Sequence, residues 1–186
     1  MKNIVDKISS YNLFNYLFPG ALFCFLLKNM VGIEIYYGNW IELFVIYYFI
    51  GIIISRIGSL LIETPLKTIK IRGKPLLHFS PYCDYIKASK TDSFLSTMTE
   101  TNNMYRSLLS CLTCIFILII LSNIKNKCNY NIIVLLQNNI DVLTLIFIII
   151  LFLVSYVKET AYISKRVDAC NNENNITKEK NTKEKD

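Results

Sequence analysis

In the stretch FIGIIISRIGSLLIETP, Phe49 to Pro65, one arginine and one glutamate interrupt an otherwise apolar run. Arg56 and Glu63 are two helical turns apart, which on an α-helix puts them on one side. Charged groups inside a membrane segment usually face the bundle interior and find a partner there. Acceptors at matching depth lie in a second apolar run. Pro19 has no N–H, so the carbonyl of Asn15 is left without its helical bond. The expected arrangement is an intramembrane polar clamp of Arg56 with Asn15, Tyr16, Pro19 and Ser110. Snorkelling of Arg56 to the headgroups is the alternative. It works against the tilt of helical side chains toward their own N-terminus, which here points to the bilayer centre. Gly51, Ser55, Gly58 and Ser59 form a stripe of small residues for close helix packing.

A second polar group is expected where the membrane segments reach the cytoplasm. Glu63, Glu100, Asn102, Asn103 and Arg106 would form this cytoplasmic mouth. Other reactive types carry less. Cys111 and Cys114 make a C-x-x-C inside an apolar run, with no second pair, so small helix-facing side chains are the better reading than a redox or zinc site. His78 is the lone histidine, without neighbours at metal-ligand spacing. The chain has no phosphate loop, no G-x-S-x-G and no H-E-x-x-H. No catalytic, cofactor or metal residues are expected, and the protein is read as not an enzyme.

The elements that must position these residues are apolar runs. The chain has 186 residues, 53% hydrophobic and only 18% charged, and its charges are segregated from the apolar stretches, which indicates a membrane protein. Four runs approach the roughly 20 residues that cross a bilayer: about 13–33, 41–62, 107–124 and 140–157. The first is read as an uncleaved span, since no small-x-small cleavage site follows it. Arg56 does not prevent insertion of the second. Its 14 Ile, Leu, Val and Phe residues contribute roughly −4 to −8 kcal/mol against about +3 for one arginine.

Lysine and arginine set the topology. Sixteen lie before the first span, between the second and third, or after the fourth; Lys28, Lys125 and Lys127 lie on the other side. The positive-inside rule then puts both termini and the 64–106 insertion in the cytoplasm. This rule accounts for the basic residues, and nucleic acid is not an expected partner. Within the insertion, Ser80-Pro81 reads as a helix start and Asp92 as the cap of a helix that runs unbroken into the third span. The stretch Tyr82 to Lys90 should fold against that stalk. The segment 169–186, rich in Asn, Lys and Glu, reads as a disordered charged tail. The fold class is therefore an all-α membrane protein, 1–168, with four transmembrane helices and a short cytoplasmic helical insertion between the second and third.

The combination of YNLFNYLFPG, ISRIGSLLIE, YCDYIKASKTD and NNMYR resembles a group of small bacterial four-span membrane proteins, over about residues 9 to 110. Some of these occur beside antiphage defence genes, so the resemblance implies a role in antiviral defence, and it brings no catalytic residue with it. Besides the lipid bilayer, the expected partners are a second copy of the chain or a cytoplasmic protein docking at 64–106. The functional expectation is a scaffold, sensor or effector. The alternative is an oligomeric pore or transporter subunit with Arg56 and Glu63 lining a path. That reading would want a second broken helix to match Pro19-Gly20, and none is present.

Overall fold

The computed structural model describes residues 13–35, 38–71, 73–126 and 140–183. Helix α1 is built of three contiguous pieces, Leu13–Leu17, Phe18–Leu26 and Leu27–Val31, the outer two wound as wider π-type turns. It stops at Gly32, whose φ of 77° is left-handed, a conformation that glycine adopts without a Cβ penalty. Helix α2 spans Trp40–Thr68. Its start is capped by Asn39, whose Oδ1 accepts from the amides of Ile41 and Glu42 at 3.1 Å each; this satisfies two of the donors that a helix leaves open.

A two-residue antiparallel bridge comes next, β1 (Lys70–Ile71) with β2 (Lys74–Pro75). It turns at Gly73, φ 81°. Then come α3 (Tyr82–Thr91), α4 (Phe94–Asn126) and α5 (Ile140–Lys183). Apart from the bridge, the regular elements among the described residues are helices. Three of these helices are long and apolar enough to cross a membrane: Trp40–Thr68, Phe94–Asn123 and Ile140–Asn172. Four were expected. The first run is helical as α1 within the described residues, with Lys28 and Asn29 in its last turn, and a fourth span is not shown.

Helix α4 is the central element. Of its apolar window 44% is buried, against 17% for each of the other two. It packs on α5 along much of its length and also touches α1 and α2. The core forms three layers. Leu27, Leu112, Ile115, Ile119, Val142 and Leu145 make the first. Leu66, Leu77, Leu109 and Tyr156 make the middle one. Ala88, Leu95 and Val167 make the last, where α3 lies on the far part of α5. Large apolar side chains such as Phe44, Phe49, Phe147, Ile150 and Val154 are exposed on the outside. That distribution is unfavourable in water but is what a lipid-facing surface requires.

Two expectations are corrected in the insertion and the tail. Ser80 does not cap α3: Pro81 occupies that position without a side-chain bond, and the Ser80 hydroxyl lies 2.9 Å from that of Ser164 on α5. Asp92 does cap α4, its Oδ1 accepting from the amide of Phe94 at 3.0 Å. The tail expected to be disordered from 169 continues α5 as helix to Lys183. Extending an existing helix avoids the cost of nucleation, and lysine and glutamate are good helix formers.

Candidate functional site

Four elements converge where the apolar windows end. From Gly58 to Glu63, α2 is wound as a π-type turn. Such a turn holds one residue more than an α-turn, so it rotates the remainder of the helix by about one residue, roughly 100°. Glu63 is thereby turned off the face of Arg56 and into the bundle. There its Oε2 accepts from Nη1 of Arg106 on α4 at 2.5 Å and from the Tyr156 hydroxyl on α5 at 3.3 Å. Its Oε1 lies 2.7 Å from Nζ of Lys67, one turn on. One carboxylate thus ties three helices together, with both oxygens engaged. A carboxylate so saturated is a structural tie rather than a free proton acceptor.

Around this tie is a cavity of about 370 Å³ lined by residues of α2, α3, α4 and α5 and the segment leading into α3. Its neutral polar groups bond one another. Asn102 Nδ2 donates to the Thr160 hydroxyl at 3.1 Å, and Thr160 donates to the carbonyl of Tyr156 at 2.8 Å. Thr99 spends its proton on the carbonyl of Leu95, so the Tyr85 hydroxyl, 3.0 Å away, is the donor to Thr99. Below the cavity the insertion is fastened to α5. Arg166 pairs with Asp92 through Nε and stacks over the ring of Phe94 at 5.0 Å, and Asn171 Nδ2 donates to the carbonyl of Asp84 at 3.1 Å. The Arg166 guanidinium holds the Asp92 carboxyl below the usual carboxylate range, with burial opposing. Because the folded pKa is lowered, this pair stabilises above the carboxyl's unfolded pKa and is lost as pH falls through the lowered value.

Of the expected mouth, the structure gathers Glu63, Asn102, Asn103 and Arg106 around this cavity; Glu100 is half-buried on α4 and does not line it. Lys67, Tyr156 and Thr160 complete the site and were not singled out from the sequence. A signal for the last two exists: Tyr156, Thr160 and Ser164 recur every fourth residue at the end of an apolar run, which places them on one helical stripe.

The intramembrane clamp is not formed. Arg56 is exposed on the outside of α2, and Asn15, though buried, has an Oδ1 without a hydrogen-bond partner. The geometry explains this. Ile54 faces α4, where the Ser110 hydroxyl donates to its carbonyl at 2.9 Å. Arg56 stands two residues on, roughly 200° around the helix, and points away. Pro19 is buried, and its own carbonyl receives a 3.6 Å contact from Cys111 Sγ. The Tyr16 ring meets Tyr48 edge-to-face at 5.8 Å.

The small-residue stripe divides between two neighbours. A Cβ on Gly51 would lie 1.7 Å from the carbonyl oxygen of Tyr16, and one on Gly20 1.8 Å from that of Tyr47, so these two glycines let α1 and α2 touch backbone to backbone. Gly58 faces α4 instead, with Arg106 O and Ser110 Cβ each at 3.2 Å from such a Cβ. Ser55 and Ser59 are half-buried beside them. His78 is exposed, and among the described residues no group of three or more His, Cys, Asp or Glu could hold a metal ion. The chain matches no family model, no curated protein and no solved structure.

Proposed function

We propose that the protein is a multi-pass inner-membrane scaffold, sensor or effector that works through a cytoplasmic protein partner and catalyses no reaction. The observation that carries this reading is the polar unit built on the ends of α4 and α5. Helix α3 is fixed to that unit through Ala88, Leu95 and Val167, while Tyr82, at the rim of the cavity, and Ile86 are exposed. Two membrane helices thus share one rigid attachment to an exposed, partly apolar helix. A place in antiphage defence belongs to the same reading and rests on the resemblance carried by YNLFNYLFPG, ISRIGSLLIE, YCDYIKASKTD and NNMYR.

The test is capture of the full chain in mild detergent, identified by mass spectrometry, alongside a Tyr82→Ser/Ile86→Ser variant. A soluble protein should co-purify with the wild type and be lost from the variant. Recovery of the chain alone, as a defined oligomer, would overturn the partner reading in favour of a pore. In a pore, Arg56 and Glu63 would not line one path, because one is exposed outside α2 and the other lies in the cavity.

We also propose four spans, with α1 as the first, and both termini in the cytoplasm. Cys128 then lies outside and the exposed Cys83 inside. An impermeant maleimide added to right-side-out vesicles should label Cys128 and spare Cys83 until the membrane is permeabilised. Labelling of Cys83 in sealed vesicles would reverse the orientation.

A further inference from the structure

We infer that the cavity between α2, α3, α4 and α5 binds a phosphate-bearing anion, with Lys67 and Arg106 as its ligands. Two cations line the cavity, Lys67 and Arg106, and Glu63 is the one carboxylate among the described lining residues. The site therefore holds an excess of one positive charge. Both members of the Arg106–Glu63 pair are largely withdrawn from solvent, with 17% and 13% of their side chains exposed. Within that pair the charges cancel, so the excess positive charge is that of Lys67, whose side chain is 47% exposed and reaches the cavity from its open side.

Donor supply points the same way. Arg106 Nε is buried with no hydrogen-bond partner, so Glu63 does not satisfy the guanidinium. Lys67 gives one bond to Glu63, and its ammonium lies 4.5 Å over the ring of Phe79, which leaves N–H groups to spare on a four-carbon arm that is already positioned. The neutral groups, by contrast, spend their protons on one another, as Tyr85 does on Thr99 and Thr160 on Tyr156. Lys67 and Arg106 thus keep unused donors, and a tetrahedral oxyanion accepts from several at once.

Place and size agree with this. The cavity lies where the apolar windows of three helices end, the level at which lipid phosphates sit. Its volume of about 370 Å³ is within the range of small-ligand sites and suits a headgroup or a small soluble phosphate. Anion binding here needs no protein partner, so it stands or falls apart from the capture experiment.

The test uses the full chain at low ionic strength, where surface charge is least screened. Inorganic pyrophosphate is titrated against the protein in dodecylmaltoside. Separately, the protein is placed in phosphatidylcholine nanodiscs with increasing phosphatidylglycerol. Thermal unfolding is followed in both, alongside Lys67→Gln and Lys67→Arg variants. Lys67 is half-exposed, so both variants should keep the wild-type helical signal. Either anion should raise the melting temperature of the wild type. Lys67→Gln should weaken the apparent affinity by roughly tenfold, the loss of one charge-assisted bond, and Lys67→Arg should retain it. A response to phosphatidylglycerol alone identifies a lipid headgroup as the source, and a response to pyrophosphate alone a soluble one. No shift with either probe, or a shift that Lys67→Gln leaves unchanged, overturns the proposal.

Discussion

Gly51→Val should remove the folded protein almost completely. The added Cβ would sit 1.7 Å from a backbone carbonyl of α1, and a carbonyl cannot rotate away as a side-chain tip can. The helices must separate instead. Overpacking ordinarily costs about 1–3 kcal/mol, and here the loss should exceed about 3 kcal/mol because the obstacle is backbone on both sides of the contact. Gly20→Ala should act similarly, its Cβ lying 1.8 Å from the Tyr47 carbonyl. Gly58→Ala is the internal control. Its nearest neighbours would be 3.2 Å away and include a side chain, so a small shift of the helices is expected. Size-exclusion profiles and melting curves in mild detergent read all three. A Gly51→Val variant that melts beside the wild type would mean that α1 and α2 are not in backbone contact. Close approach matters in a membrane because lipid tails give no hydrophobic force between helices, which leaves dispersion and polar contacts to hold them.

The second large effect is expected at Glu63. Glu63→Leu leaves Arg106 without its counter-charge between three helices. Removing one partner of a buried pair costs about 3–5 kcal/mol. Partial exposure of both side chains, 17% for Arg106 and 13% for Glu63, places the expectation near the lower end of that range, about 3 kcal/mol. Arg106→Leu should cost a comparable amount. The double variant should recover most of the loss, because replacing both partners by apolar groups removes the unpaired charge. A double-mutant cycle in a reversible unfolding assay gives the coupling. Additive single effects would show that the two side chains do not depend on one another.

The presence and order of α2, α4 and α5 are legible in the sequence because their apolar runs exceed what a soluble core needs. The cap at Asp92 is legible because an Asx side chain before a helical run has few other uses. The grouping of Glu63 with Asn102, Asn103 and Arg106 is legible because polar residues flanking adjacent spans meet at one level. The fate of Arg56 is not. A regular α-helix would put Glu63 and Arg56 on one side, and the π-type turn between Gly58 and Glu63 breaks that register. Nothing in the composition of GSLLIE announces a wider turn. The reciprocal contact of Gly20 with Gly51 is half legible: the sequence marks both glycines as permissive, but only the crossing of α1 and α2 makes them meet. The course of the chain beyond 169 is hidden because composition reports whether a segment can start a helix, not whether it can prolong one.

Helix α5 is a continuous rod of 44 residues, about 66 Å at 1.5 Å per residue, or roughly twice the hydrocarbon thickness it would cross. Rods of that kind respond to bilayer thickness by changing their tilt. Were its first half to cross a bilayer, with α3 carried on the other half, a small rotation of α5 would become a larger sideways displacement at its far end. Because Asp92 and Asp84 are bound to that far half, the insertion travels with it. A change in the tilt of α5 would thus be felt at the surface on which Tyr82 and Ile86 are displayed.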